Sequence, residues 1–222
     1  MIDASHHYAQ KNSSNSWEND YPTLIKEIDL YTLHYIVGSI LLCILMAFYK
    51  LVSSGYFPGL LSTDNPTGPS SGYLLLVGSE ILQLCLALYV MVMWCLVIRN
   101  CWAALPREYR DGITPNQGAW FCIIPVFGFY WLFVGYAGLA SNLNRFALKT
   151  NLLANPGAAL ATFCCFWFIF MVFAEIIFWS SNLTVGIIPQ VIDTIIWIIS
   201  LVAVKNCAIS VLEYRCKENQ SV

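Results

Sequence analysis

Residues 115–133 read "PNQGAWFCIIPVFGFYWLF", and their course decides the fold. The stretch is apolar enough to enter a bilayer, yet it carries Pro125 near its middle. Proline removes a backbone donor and disfavours a helical residue before it, so a break or kink is expected at Ile124–Pro125. Eight aromatics crowd the interval from Trp120 to Tyr136: Trp120, Phe121, Phe127, Phe129, Tyr130, Trp131, Phe133 and Tyr136. Trp and Tyr favour the headgroup level, where an apolar ring and a polar atom are both accommodated. A simple span would be filled with Leu instead. Two courses are open: a proline-kinked crossing, which membranes tolerate, or entry and return on one side.

The rest of the chain supplies the context. Of 222 residues, 58% are hydrophobic and 11% charged, against about 25% charged in an ordinary soluble domain. Long apolar runs cover 31–49, 73–98, 118–140, 156–180 and 184–204. Each is close to the ~20 residues with which a helix crosses ~30 Å of hydrocarbon. Nucleic acid is not an expected partner, because no basic patch with interleaved aromatics occurs and the net charge is −2.

Lys and Arg placement selects between the two courses, since these residues favour the cytoplasmic side. With the N-terminus inside and 118–140 crossing, five basic residues fall inside and six outside. With 118–140 returning, Lys11, Lys26, Arg99, Arg107, Arg110, Arg145, Lys149, Lys205, Arg215 and Lys217 are all inside and only Lys50 is outside. The returning course is therefore expected. It gives an all-α integral membrane bundle with four transmembrane helices, at about 31–52, 73–98, 156–180 and 184–208, plus a proline-broken re-entrant or interfacial segment over 113–148. Residues 1–30 read as a flexible polar tail without signal-peptide features, 31–212 as a single membrane domain, and 213–222 as a C-terminal tail. The turn-rich stretch 53–72 reads as an outer loop. "NP" at 155–156 reads as an N-cap with proline at the first helical position, and Pro189 is expected to unwind the start of the last helix. Both termini are expected in the cytoplasm of a bacterial cell, the protein lying in its cytoplasmic membrane.

"ITPNQGAW…IIPVFGFYW…GLASNLNRF", residues 113–146, resembles a group of uncharacterised bacterial multi-pass membrane proteins. The matching residues are Thr114, Pro115, Ile124, Pro125, Phe127, Tyr130, Trp131, Leu139, Ala140, Asn144 and Arg145. Gly128 stands where that group often has Asn. The resemblance covers about 35 residues and implies a bacterial multi-pass protein; it carries no reaction.

Chemistry is sought among ionisable groups inside the apolar runs, where charge is costly. Lys50, Glu80, Glu175, Gln190 and Asp193 form a candidate polar cluster toward the outer half. It is either structural glue or a site for a cation or proton. Small and polar residues at helical spacing support a shared interior: Ser39, Cys43 and Ala47 on the first helix, Gln190, Asp193, Ser200 and Cys207 on the last. Arg99, Arg107, Arg110, Trp120, Trp131, Arg145 and Lys149 are candidate lipid or partner contacts at the inner face. The nine cysteines are odd in number, lack C-x-x-C spacing and lie mostly in apolar runs, so they read as small hydrophobes rather than disulfides or zinc ligands. His6-His7 lacks further ligands. No nucleotide-binding, hydrolase or metalloprotease motif occurs, and no cofactor is expected. The expected role is a non-catalytic membrane assembly or partner-binding protein. The alternative is a small transporter or channel using the carboxylates. The lipid bilayer is the expected partner, together with a membrane protein or further copies of the chain.

Overall fold

The computed structural model describes residues 20–53, 71–124, 127–177 and 183–220, without the side chains of residues 53, 71–75, 175–177 and 183–186. The tail over 1–19, most of the expected outer loop, Pro125 and the Glu175 side chain thus lie outside the described residues. Every regular element described is helical: α1 (Tyr21–Ser53), α2 (Ser71–Ala104), α3 (Pro115–Trp120), α4 (Phe127–Leu132), α5 (Gly138–Thr150), α6 (Ala158–Ile177) and α7 (Leu183–Gln220), with 3-10 turns at Arg107–Tyr109 and Phe121–Ile123. A π-turn at Phe133–Ala137 joins α4 to α5 without a break. α1, α2 and α7 are each long and apolar enough to cross a membrane.

α1 begins at Tyr21, not at residue 31. Asp20 starts it: its carbonyl accepts from Leu24 N and its Oδ1 from Thr23 N, and Pro22 sits in the first turn, where a missing N–H costs nothing. Tyr21, Leu24, Ile28, Thr32 and Tyr35 are buried at helical spacing, so residues 21–30 pack as helix rather than trailing as tail. α7 likewise runs to Gln220, well past residue 208, and passes through Pro189 as helix. α6 starts at Ala158 rather than at Pro156. Asn155 Oδ1 instead accepts from Gly157 N at 2.8 Å, and Gly157 takes the left-handed φ of +64° that glycine tolerates.

The packed core sits at one end of the bundle. Ile98 and Trp102 of α2, Leu105 just after it, Leu139 and Leu143 of α5, and Leu201, Val204, Val211 and Leu212 of α7 are inaccessible to solvent. Along the rest of the helices large apolar side chains face outward: Ile44 on α1, Leu84 on α2, Phe166 on α6 and Ile195 on α7 are each half or more exposed. Such faces suit hydrocarbon rather than water.

Between α2 and α6 the chain folds back on itself. Thr114 opens α3 with a capping box: its Oγ1 accepts from Gln117 N at 3.3 Å, and Gln117 Oε1 accepts from Thr114 N at 3.0 Å. Gly128 N donates to Ile124 O at 2.6 Å, which ties the start of α4 to the end of the first limb. The two limbs then run antiparallel, Trp131 Nε1 donating to Gln117 O at 2.6 Å. Gly128 and Gly135 let the limbs touch, since a side chain would collide with Cys122 O at the first and Gly118 O at the second. At the mouth of the hairpin, Arg145 reaches Asp111 Oδ1 at 2.9 Å and Tyr109 O at 3.5 Å. At its tip, Phe129 packs on Phe168, midway along α6.

Candidate functional site

The charged groups gather at the end that holds the hairpin mouth. Lys205 pairs with Asp29 at 2.8 Å, and Asn100 Nδ2 donates to Glu27 Oε2 at 3.0 Å. The last carbonyls of α2 are closed by two arginines. Arg110 donates to Ala103 O at 2.9 Å and Leu105 O at 2.8 Å; Arg215 donates to Ala104 O at 2.9 Å while lying over the Tyr21 ring. Cations at a helix C-terminus both satisfy orphan carbonyls and oppose the helix dipole. Arg110 is 5% exposed, so this residue is turned into the protein and does not face lipid or a partner. The other candidates at this end divide. Arg99 Nε donates to Asn116 Oδ1, Trp131 is tied to Gln117, and Arg145 and Lys149 flank the Tyr109 ring. Arg107 and Trp120 are exposed. Its hydrogen bond with Arg145 holds the Asp111 carboxyl below the usual carboxylate range.

Side chains of neighbouring residues donate to carbonyls of the hairpin. Trp102 Nε1 donates to Gly135 O at 2.7 Å in the π-turn, and Cys95 Sγ donates to Ala119 O at 3.6 Å, Cys165 Sγ to Leu132 O at 3.5 Å, Cys122 Sγ to Gly118 O at 3.7 Å. Irregular backbone in an apolar interior requires such internal partners. Three of the cysteines therefore act as weak donors as well as small hydrophobes.

Above the hairpin lies a cavity of about 390 Å³ to which α1, α2, α6, α7 and both limbs contribute. Its polar wall comes from α1 and α7: Tyr35, Ser39 and Cys43 face Gln190, Asp193 and Thr194. These sit at i, i+4, i+8 and i, i+3, i+4, each set on one helical face. Thr194 Oγ1 lies 3.0 Å from Cys43 Sγ, and Gln190 Nε2 lies 3.0 Å from Met46 Sδ. The remaining wall is apolar, with Met91 and Trp94 of α2, Ile123 and Leu132 of the hairpin, and Phe168 of α6. Toward the charged end the cavity is closed by rings. Trp94, Tyr136 and Trp197 pack with centroids 5.3–6.1 Å apart, and Tyr136 Oη is 2.7 Å from Ser200 Oγ.

Of the five residues expected in the polar cluster, Gln190 and Asp193 share this cavity. Glu80 does not line it; its Oε1 accepts from Tyr49 Oη at 2.7 Å in an exposed position, and Lys50 follows Tyr49 in the last turn of α1. The residues that sequence reasoning passed over are Tyr35, Trp94, Trp197 and Tyr136. Trp94 and Trp197 carried one signal: each is a bulky ring with a polar N–H in the middle of an aliphatic run. Among the described residues no group of His, Cys, Asp and Glu is arranged to hold a metal ion.

No family model, no curated protein and no solved structure matches this chain.

Proposed function

We propose that the chain is a four-span integral membrane protein, α1, α2, α6 and α7 crossing the bilayer and the α3–α4 hairpin re-entering it, that binds a small cationic solute in its central cavity for transfer across the membrane. Its role is non-catalytic. The observation that carries this reading is Asp193, a carboxylate in the cavity wall near the middle of the apolar run 184–204. An ionisable group at such depth is expensive unless it faces a polar cavity or a counter-charge. Broken helical segments at membrane depth are the usual lining of solute pathways.

The orientation follows from charge. Among the described residues, Lys50 stands at one end of the bundle and every other Lys and Arg at or near the other. This supports both termini lying on the cytosolic side of a cytoplasmic membrane, with the cavity opening away from the cytosol. The hairpin mouth, closed by Arg145 and Asp111, supports entry and return from that same side.

The test is cation-dependent flux into proteoliposomes of purified protein, compared with Asp193→Asn. Flux that disappears in the variant supports the reading; equal flux in both removes it. A second reading, partner binding at the charged end, is favoured by Leu148 and Leu153, which are 71% and 108% exposed beside Lys149. A stoichiometric complex retained in mild detergent and lost on Leu148→Glu would favour it.

A further inference from the structure

The cavity wall is divided by chemistry. One side, from α1 and α7, holds the hydroxyls of Tyr35, Ser39 and Thr194 with the carboxylate of Asp193. The other side is hydrocarbon, thioether and aromatic, with Trp94 and Phe168 presenting rings. Among the described residues no Lys or Arg lines it. Each class of occupant must suit both sides at once.

An anion meets a carboxylate and no cation. A neutral apolar molecule offers nothing to the polar wall of Ser39, Asp193 and Thr194. A hard metal cation asks for six to eight oxygens on all sides, whereas here oxygens occupy one side only. The Thr194 hydroxyl is moreover already engaged, donating to Gln190 O at 2.9 Å. A proton needs no cavity of 390 Å³, a volume within the range of small-molecule pockets. What suits both sides is a cation whose charge is carried on nitrogen and whose body is carbon. The nitrogen lies beside Asp193, and the body lies against rings that attract a cation through their faces. We infer that the cavity between α1, α2, α7 and the hairpin is a binding site for a lipophilic organic ammonium ion, of the size of one ring on a short aliphatic chain. The inference rests on the solute-binding reading above and names its substrate class.

The Trp94–Tyr136–Trp197 layer then has two tasks. It forms the ring face under the ammonium, and it separates the occupant from the Lys205–Asp29 end. Tyr136 rides on the π-turn, and single π-turns in helices are frequent at functional sites.

The probe is 4-phenylbutylammonium, with 4-phenylbutanol as its uncharged counterpart, titrated calorimetrically into the full-length protein in detergent. The amine is expected to bind at least about tenfold more tightly than the alcohol. Asp193→Asn is expected to weaken the amine by about 30-fold or more while leaving the alcohol unchanged. Phe168→Leu, on the opposite wall, is expected to weaken the amine about three- to tenfold with elution volume and melting temperature retained, which keeps the test decisive if Asp193→Asn does not fold. Equal binding of amine and alcohol overturns the inference, as does amine binding indifferent to both substitutions. If sodium or proton flux depends on Asp193 while the amine does not bind, the transport reading stands and the ammonium site falls. If neither flux nor binding depends on Asp193, both fall.

Discussion

Single atoms hold the hairpin in place. Gly135 O is a π-turn carbonyl buried among apolar groups, and Trp102 Nε1 is its donor at 2.7 Å. Trp102→Phe keeps the ring and removes the donor. Losing this buried hydrogen bond is expected to cost about 1–3 kcal/mol, read as a lowered melting temperature in detergent. Glycine substitutions separate packing from flexibility. A Cβ on Gly135 collides with the Gly118 carbonyl, whereas one on Gly78 of α2 meets nothing within 4 Å. Gly135→Ala is therefore expected to abolish monodisperse protein on gel filtration, and Gly78→Ala to preserve it. The hairpin mouth responds to pH. Asp111 is held below the usual carboxylate range by Arg145, so its contribution is complete above an unfolded pKa of about 4 and is lost as pH falls through the lower folded value. Both groups are half exposed, so the effect is small. It is visible as a melting temperature that falls more steeply below pH 4 in the native chain than in Asp111→Asn. None of these contacts is written in the sequence, because each joins residues 17 to 34 positions apart or depends on a backbone approach. Nothing in the local sequence around Trp102, Gly118 and Gly135 marks them as partners.

The first and last helices are longer than the apolar runs that announce them. Hydropathy marks where the solvent is hydrocarbon, and it placed the first helix at 31 and the end of the last at 208. The observed limits are Tyr21 and Gln220, because both helices continue into a packed, charged layer beyond their apolar stretches. The signal for the first was present. "DYPT" at 20–23 is an N-cap followed by a first-turn proline, overshadowed by Lys26, Glu27 and Asp29 in the same window. For the last helix, Leu201, Val204, Ala208, Val211 and Leu212 extend the buried face, a periodicity that continues past Lys205. The extension matters for stability. Arg215 closes Ala104 O and covers Tyr21, and Asn219 donates to Tyr21 Oη at 3.1 Å. Arg215→Met keeps the apolar stem and removes the cap, at an expected cost of about 1.5–3 kcal/mol. Denaturation by graded detergent should show the native chain outlasting the variant, and equal endurance would mean that the α2 terminus is satisfied otherwise.

At the scale of the molecule, the all-helical class was legible because apolar runs of helical length dominate the chain, and α1, α2 and α7 are such helices. The cavity was only half legible. Gln190 and Asp193 share a face that spacing reveals, but the opposing wall comes from Trp94, Ile123 and Phe168, whose convergence depends on how three separate elements pack. Glu80, grouped with Asp193 by depth, turns instead to Tyr49, because depth along a helix says nothing about azimuth. What hydropathy leaves open about the central segment, the distribution of charge constrains. The hairpin mouth brings Tyr109 and Asp111 together with Arg145, and the same end holds the start of α1 and the close of α7, with Asn219 on Tyr21. If the bilayer surrounds the exposed apolar faces of α1, α2, α6 and α7, the two chain termini must share one side, opposite the connection between α1 and α2. A protease site inserted after residue 64 is thus expected to be cut by protease added to sealed, intact cells. An identical site after Val222 is expected to be cut only once the cells are broken. Cleavage at the C-terminal site in sealed cells would require an odd number of crossings between the two insertions to become even. The four-span arrangement would then be lost, and with it the outward-opening cavity on which the ammonium site depends.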